Sequence, residues 1–146
     1  MIDKKTAPFG ALLLRISLGV MFLAHSLYLK LVVFTLPGTV KFFESLGLPA
    51  FATHLTIAVE TIGGLMLIAG FKTRHAAIAL LPVLVGASLV HWKNGWLFTN
   101  AGGGWEYPVF LAVATGVQAL LGDGAYSVGA RVGSTEVGGW QVATRS

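Results

Sequence analysis

Four apolar stretches stand out along the chain, at about 9–29, 54–71, 75–92 and 106–121, separated by segments where charge, glycine and proline collect. At 1.5 Å per residue each would form a helix roughly 22–32 Å long, close to the thickness of a bilayer's hydrocarbon core. The pattern predicts an all-α fold, an integral membrane four-helix bundle. The first run, FGALLLRISLGVMFLAHSLYL, follows Lys4 and Lys5 as a signal peptide would, but Arg15 interrupts it and no A-x-A site follows. It reads as a retained first helix. Pro82 inside the third run predicts a kink, whereas Pro108 falls in the first turn of the fourth, where a missing N–H is harmless. Between the first two runs, TVKFFESLG sets Val40, Phe43 and Leu46 at three-residue spacing opposite Lys41 and Glu44, which predicts a short amphipathic helix on the outer face. The Gly- and Ser-rich stretch from Gly122 onward reads as a flexible cytoplasmic end, with residues 1–128 as the transmembrane domain and 129–146 as the tail.

Composition sharpens this picture. Residues of the AVILMFWYC set make up 55% of the chain and charged residues only 11%, at a mean hydropathy of +0.76, which is too little charge to cover a soluble surface. The absence of cysteine excludes a disulfide scaffold, thiol relays, Cys-ligated zinc and Fe–S clusters. Ten Lys+Arg against six Asp+Glu would suggest nucleic acid in a soluble protein, but here the cations lie between apolar runs, where they record membrane orientation. Lys4, Lys5, Lys72, Arg74, Arg131 and Arg145 gather on one side, and Lys30, Lys41 and Lys93 on the other. Both termini are therefore expected in the cytoplasm. Trp92, Trp96 and Trp105 fit an aromatic belt at the opposite surface, and the three glycines before Trp105 lack the Lys-Ser or Lys-Thr of a phosphate loop.

Candidate chemistry lies in the polar residues within or beside the spans: Arg15, His25, Lys30, Glu60, His91, Glu106 and Gln118. A charge near the bilayer centre costs about 2.5–3.5 kcal/mol even on a lenient scale, so Arg15 and Glu60 need partners. Counting from the inner end of each run puts Arg15 about 9 Å deep and Glu60 about 16 Å deep. This predicts an Arg15–Glu60 ion pair, either structural or tuning Glu60 as a proton carrier. His25 and His91 both come out about 24 Å deep, with Glu106 at the same surface and Lys30 just beyond His25. His25, His91 and Glu106 suit proton exchange with a quinone headgroup, with Lys30 beside them, or a metal, or simple contact with water and headgroups. Gly63 and Gly64 share a face with Glu60 and read as helix-packing positions, while His54 and His75 read as interfacial.

These residues, in order, carry a resemblance. Arg15, GVMFLAHSLYLKL, TVKFFESLGLP, ETIGGLMLIAGFKTRHAA, His91, Glu106 and GDGAYSV together resemble the DoxX family of small bacterial and archaeal membrane proteins, over about residues 9–128. Where the family often has His-Gly-x-x-Lys, this chain has Ser26 for the glycine and Lys30 five residues after His25. The resemblance implies a four-helix membrane protein and, for some relatives, a place in oxidoreductase complexes such as the small subunits of thiosulfate:quinone oxidoreductase. The expected function is a quinone-interacting membrane subunit of a redox system, with other subunits or further copies as partners. The alternatives are a noncatalytic scaffold for a partner enzyme and a small permease, the latter disfavoured because no inverted repeat is visible.

Overall fold

The computed structural model describes residues 3–129. Among them the regular structure is helical. α1 (Ala7–Leu23) continues without a break into a π-helical segment (Ala24–Val33), giving one rod of 27 residues. A short α2 (Leu36–Ser45) follows, then α3 (Ala50–Ala69), α4 (Thr73–His91) ending in a 3₁₀ turn (Trp92–Asn94), and α5 (Glu106–Leu121). The first rod, α3 and α4 with its 3₁₀ turn are long and apolar enough to cross a membrane, and α5 is a shorter apolar helix. The amphipathic segment read from the sequence is α2, where Lys41 and Glu44 are exposed and Val40 and Phe43 half-buried.

Local chemistry sets the helix ends. Gly70 closes α3 in the left-handed conformation (φ 67°), a cap that glycine adopts without steric cost. The N–H of Thr73, opening α4, is received by Asp123 Oδ1 at 3.0 Å, so a carboxylate from the far end of the chain caps that helix. Pro82 lies within α4, and Pro108 in the first turn of α5 as expected.

α1 packs on α3, α3 on α4, α4 on α5 and α5 back on α1. Leu18, Phe22, Leu67, Leu80, Leu84 and Leu111 meet in the core. The outside is as apolar as the inside: Leu120 is 81% exposed and Leu89 69%, while Thr115 and Gln118 are fully buried. That inversion suits lipid as the surrounding medium, where helices associate through close packing and polar contacts rather than by hiding leucine from water. Gly19 and Gly64 supply the close packing between α1 and α3. A Cβ on Gly19 would lie 2.7 Å from the Gly64 carbonyl oxygen, and one on Gly64 would lie 3.0 Å from that of Gly19. Gly63 likewise receives the Leu80 side chain.

Candidate functional site

Glu60 is buried on α3, and its partner is Lys30, with Nζ 2.6 Å from Oε2. The pairing expected from depth, Arg15 with Glu60, is not the one formed. Two facts of helix geometry explain the difference. The Gly19–Gly64 contact sets the register of the antiparallel pair, so Arg15 faces Leu67 and Ile68, seven and eight residues from Glu60, or about 10–12 Å along the axis. Side chains also lean toward the N-terminus of their own helix. Arg15 therefore reaches away from Glu60, and Lys30, placed beyond the span by simple counting, reaches back toward it. Lys30 Nζ also lies 3.5 Å from the His25 carbonyl, and its own carbonyl accepts the Thr39 hydroxyl at 2.8 Å, which ties α2 to the π-helical segment.

Arg15 is 1% exposed and serves backbone instead of a carboxylate. Its Nη1 donates to the carbonyls of Leu67 and Ile68, and Nη2 to those of Ala125 (2.9 Å) and Tyr126 (3.1 Å). The guanidinium satisfies carbonyls in the last turn of α3, where the helix dipole is negative, and holds the chain after α5 against them. Residues 122–129, expected as the start of a flexible end, are accordingly built in. Ser127 is 2% exposed, Ala125 N donates to Pro8 O at 2.9 Å, and Gly129 N to Gly70 O at 3.0 Å. The rest of the expected tail, residues 130–146, lies outside the described residues.

His25, Lys30, Glu60 and His91 line a single cavity of about 610 Å³. Its remaining walls are mostly apolar, with Phe22, Phe43, Leu55, Pro82 and Leu111 from five different helices. Equal depth on the first and third spans thus does correspond to convergence for the two histidines. It fails for Glu106. That carboxylate heads α5 but turns to the connecting loop, where Oε1 accepts the Phe98 N–H at 3.3 Å. Depth is one coordinate, and the direction a residue faces around its helix is another; Tyr107, one position on, is the residue that faces the cavity. Its ring stacks on His25 at 6.0 Å between centroids. No signal short of the helix register would have separated the two.

Both histidines are oriented by backbone carbonyls. His25 Nδ1 lies 2.8 Å from Met21 O, one turn back, and His91 Nδ1 lies 3.0 and 3.2 Å from Gly102 O and Gly103 O. Here the three glycines find their role: Gly102 and Gly103 take positive φ (80° and 77°), and Gly104 is pressed against the backbone at Trp96 and Leu97. Asn94 Nδ2 donates to the same two carbonyls, and Trp105 stacks on Trp92 with ring centroids 4.7 Å apart. Among the described residues no three of His, Cys, Asp or Glu gather around a point that could hold a metal ion. His54 and His75 stand exposed at helix starts, away from the cavity.

The family model for DoxX matches residues 10–92. The "Putative oxidoreductase CatD" of Bacillus subtilis (strain 168) is 36% identical over 83 residues, which is 57% of this chain and 60% of CatD, so the match spans less than two thirds of that relative. The "Inner membrane protein YqjF" of Escherichia coli (strain K12) is 28% identical over 127 residues, covering 86% of this chain and 93% of YqjF. No solved structure gives a significant match.

Proposed function

The chain belongs to the DoxX family, and from that premise we propose that it is a four-helix membrane subunit of a redox system whose cavity receives a quinone. The observation that carries this reading is the cavity itself, an apolar hollow with two histidines, a lysine and a glutamate in its lining. The fit is one of chemistry. A flat apolar ring suits the leucine, phenylalanine and proline walls, and imidazoles and an ion pair suit its polar edge. A neighbouring hollow shares Leu46, Leu48 and Val90 with the cavity and continues along Leu89 and Trp92, a path an apolar tail can take toward lipid. A bound quinone supplies two-electron chemistry that the side chains, with no cysteine among them, do not. The chain's own part is to bind and orient the ring, accept or return protons at His25 and His91, and keep the Lys30–Glu60 charges balanced beside it. The words "Putative oxidoreductase" in the name of CatD are compatible with this.

On the same reading the protein works in a bacterial or archaeal cell membrane, the inner one where there are two, with both termini cytoplasmic. Lys30 is engaged with Glu60, so among the described residues the cations that bear on orientation are Lys4, Lys5, Lys72 and Arg74 against Lys41 and Lys93. Electrons reach the quinone through other subunits of a complex, or the chain assembles with copies of itself. The test is purification in mild detergent, solvent extraction and identification of bound quinone. It is paired with Gly86→Trp, a cavity-lining position where added atoms meet open space. Quinone in the parent and none in the variant is the expected result. Quinone absent from both, with an oxidoreductase copurifying from both, would favour the scaffold instead.

A further inference from the structure

We propose that Asn94 is a positioning residue for His91: it holds the two backbone carbonyls against which the imidazole is set, and so fixes which ring nitrogen is left to the cavity. This rests on the reading above and adds a residue that acts on the ligand only through the histidine. α4 ends at His91 and passes into the 3₁₀ turn Trp92–Asn94. A 3₁₀ helix has three residues per turn, so side chains three positions apart eclipse, and Asn94 comes to lie over His91 where α-winding would swing it to one side. Both side chains then meet the same acceptors. Asn94 Nδ2 donates to Gly102 O at 3.0 Å and to Gly103 O at 2.8 Å, and His91 Nδ1 lies 3.0 and 3.2 Å from the same two oxygens. His91 lines the cavity and Asn94 does not.

Two successive carbonyls turned to one point repel each other and need donors to keep them there. The Asn94 amide has two N–H groups, one for each oxygen, whereas His91 has a single Nδ1–H to share between both. A carbonyl only accepts, so that hydrogen sits on Nδ1 whether the ring is neutral or charged, and Nε2 is the nitrogen left to the cavity. The carbonyls have little stiffness of their own. Gly102 and Gly103 stand at φ 80° and 77°, and glycine leaves that region as readily as it enters. The amide is closely seated, since a Cβ on Gly102 would lie 3.1 Å from Asn94 Nδ2, and the Asn94 carbonyl is tied by Asn100 Nδ2 at 2.8 Å. Without the amide the Gly102–Gly103 peptide can turn, and His91 loses the surface that sets its ring. A ligand contact at Nε2 must then order the imidazole as well, which offsets about one hydrogen bond's worth of affinity, a two- to tenfold weakening.

The experiment uses the full chain in detergent. Magnetic resonance of isotopically labelled histidine rings, with His91 assigned by its loss in His91→Phe, reads the imidazole with no ligand present. Binding is read from the midpoint of tryptophan quenching by a decyl benzoquinone. In the parent, His91 should show one ordered state with hydrogen on Nδ1. Asn94→Leu should divide it between states, and Asn100→Ala, which loosens the same loop but leaves the Asn94 amide in place, should not. Asn94→Leu should weaken quinone binding by about two- to tenfold where His91 is present and leave it unchanged in the His91→Phe background, because its effect passes through that ring. An equal loss with and without His91, or a His91 spectrum altered no more by Asn94→Leu than by Asn100→Ala, would reduce Asn94 to loop support and overturn the proposal. So would a parent His91 with no hydrogen on Nδ1, an observation that needs no variant to fold. Saturable quinone binding absent from the parent would overturn the reading of the cavity instead, and the ligand-free spectra would still decide the role of Asn94.

Discussion

Removing the ammonium of Lys30 while keeping the length of its side chain, as in Lys30→Met, leaves Glu60 as a buried carboxylate without its counter-charge. At 2.6 Å, and with the effective dielectric of about 20 that suits protein sites, the attraction between the two is roughly 6 kcal/mol, much of it offset by the cost of taking both charges out of water. The net loss on breaking a buried pair from one side is about 3–5 kcal/mol, and the lower end applies here because the Lys30 side chain keeps 17% exposure toward the cavity and Glu60 6%. Glu60→Gln should cost less, about 1–3 kcal/mol, since the stranded ammonium can hydrate in the cavity and the amide oxygen still accepts from it. The double variant removes both charges and should recover at least about 2 kcal/mol relative to the sum of the single losses. Thermal unfolding of the detergent-solubilised protein, followed by tryptophan fluorescence, supplies the four corners of the cycle. The cycle of Arg15→Met with Glu60→Gln is the control, and it should close within about 0.5 kcal/mol because those side chains do not meet. Additive losses in the Lys30 cycle, or a coupling as large in the Arg15 one, would refute the pairing described above.

Arg15→Lys should destabilise nearly as much as Arg15→Met, by about 3 kcal/mol, because a compact ammonium cannot spread over four carbonyls on two segments; faster proteolysis between Gly122 and Gly129 is the accompanying readout. Gly19→Ala should cost about 1–3 kcal/mol by forcing α1 off α3, whereas Gly10→Ala and Gly116→Ala, which meet open space, should be neutral or stabilising by up to about 1 kcal/mol in the same unfolding assay. Glu106→Gln should leave ligand affinity unchanged, since its carboxylate faces Phe98 and not the cavity; a tenfold loss would return it to the site. Introduced one at a time into this cysteine-free chain, Lys41→Cys should react with an impermeant thiol reagent added outside cells and Lys72→Cys should not, and the reverse pattern would invert the proposed orientation.

The long apolar runs were legible because run length is a one-dimensional property, and so was the amphipathic α2, whose three-residue spacing survives any packing. Polar residues in those runs were legible as inward-facing, because lipid leaves them little choice. Which of them touch was not. Arg15 and Glu60 are the two charges nearest the middle of their spans, yet side-chain lean and the Gly19–Gly64 register send them to different partners. Glu106 and Tyr107 differ by one position in sequence and by the face of α5 they occupy. The carbonyl cradle around Arg15 had no sequence signal of its own, since its acceptors are backbone atoms that any residue supplies. Asp123 was visible only as part of a short recurring string, and its task at Thr73 depends on a loop closing over fifty residues.

The widened winding between Ala24 and Val33 bears on how such a chain can change over generations. In an ordinary α-helix each inserted residue swings everything after it by about 100°, so a single-codon insertion between His25 and Lys30 would carry the lysine to another face and strand Glu60. Where hydrogen bonds instead run from residue i to i+5, as from Leu29 O to the Phe34 N–H at 2.8 Å, each turn of the widened winding holds more residues, so a position five on stands close to where a position four on would stand in an α-helix. Lys30 is five positions from His25, one more than in the His-Gly-x-x-Lys pattern, and it still reaches back to the His25 carbonyl. Relatives that differ here by one residue can therefore present the same cation to the same carboxylate. An alignment of this stretch is best anchored on the cavity-facing side chains, with a gap allowed between them.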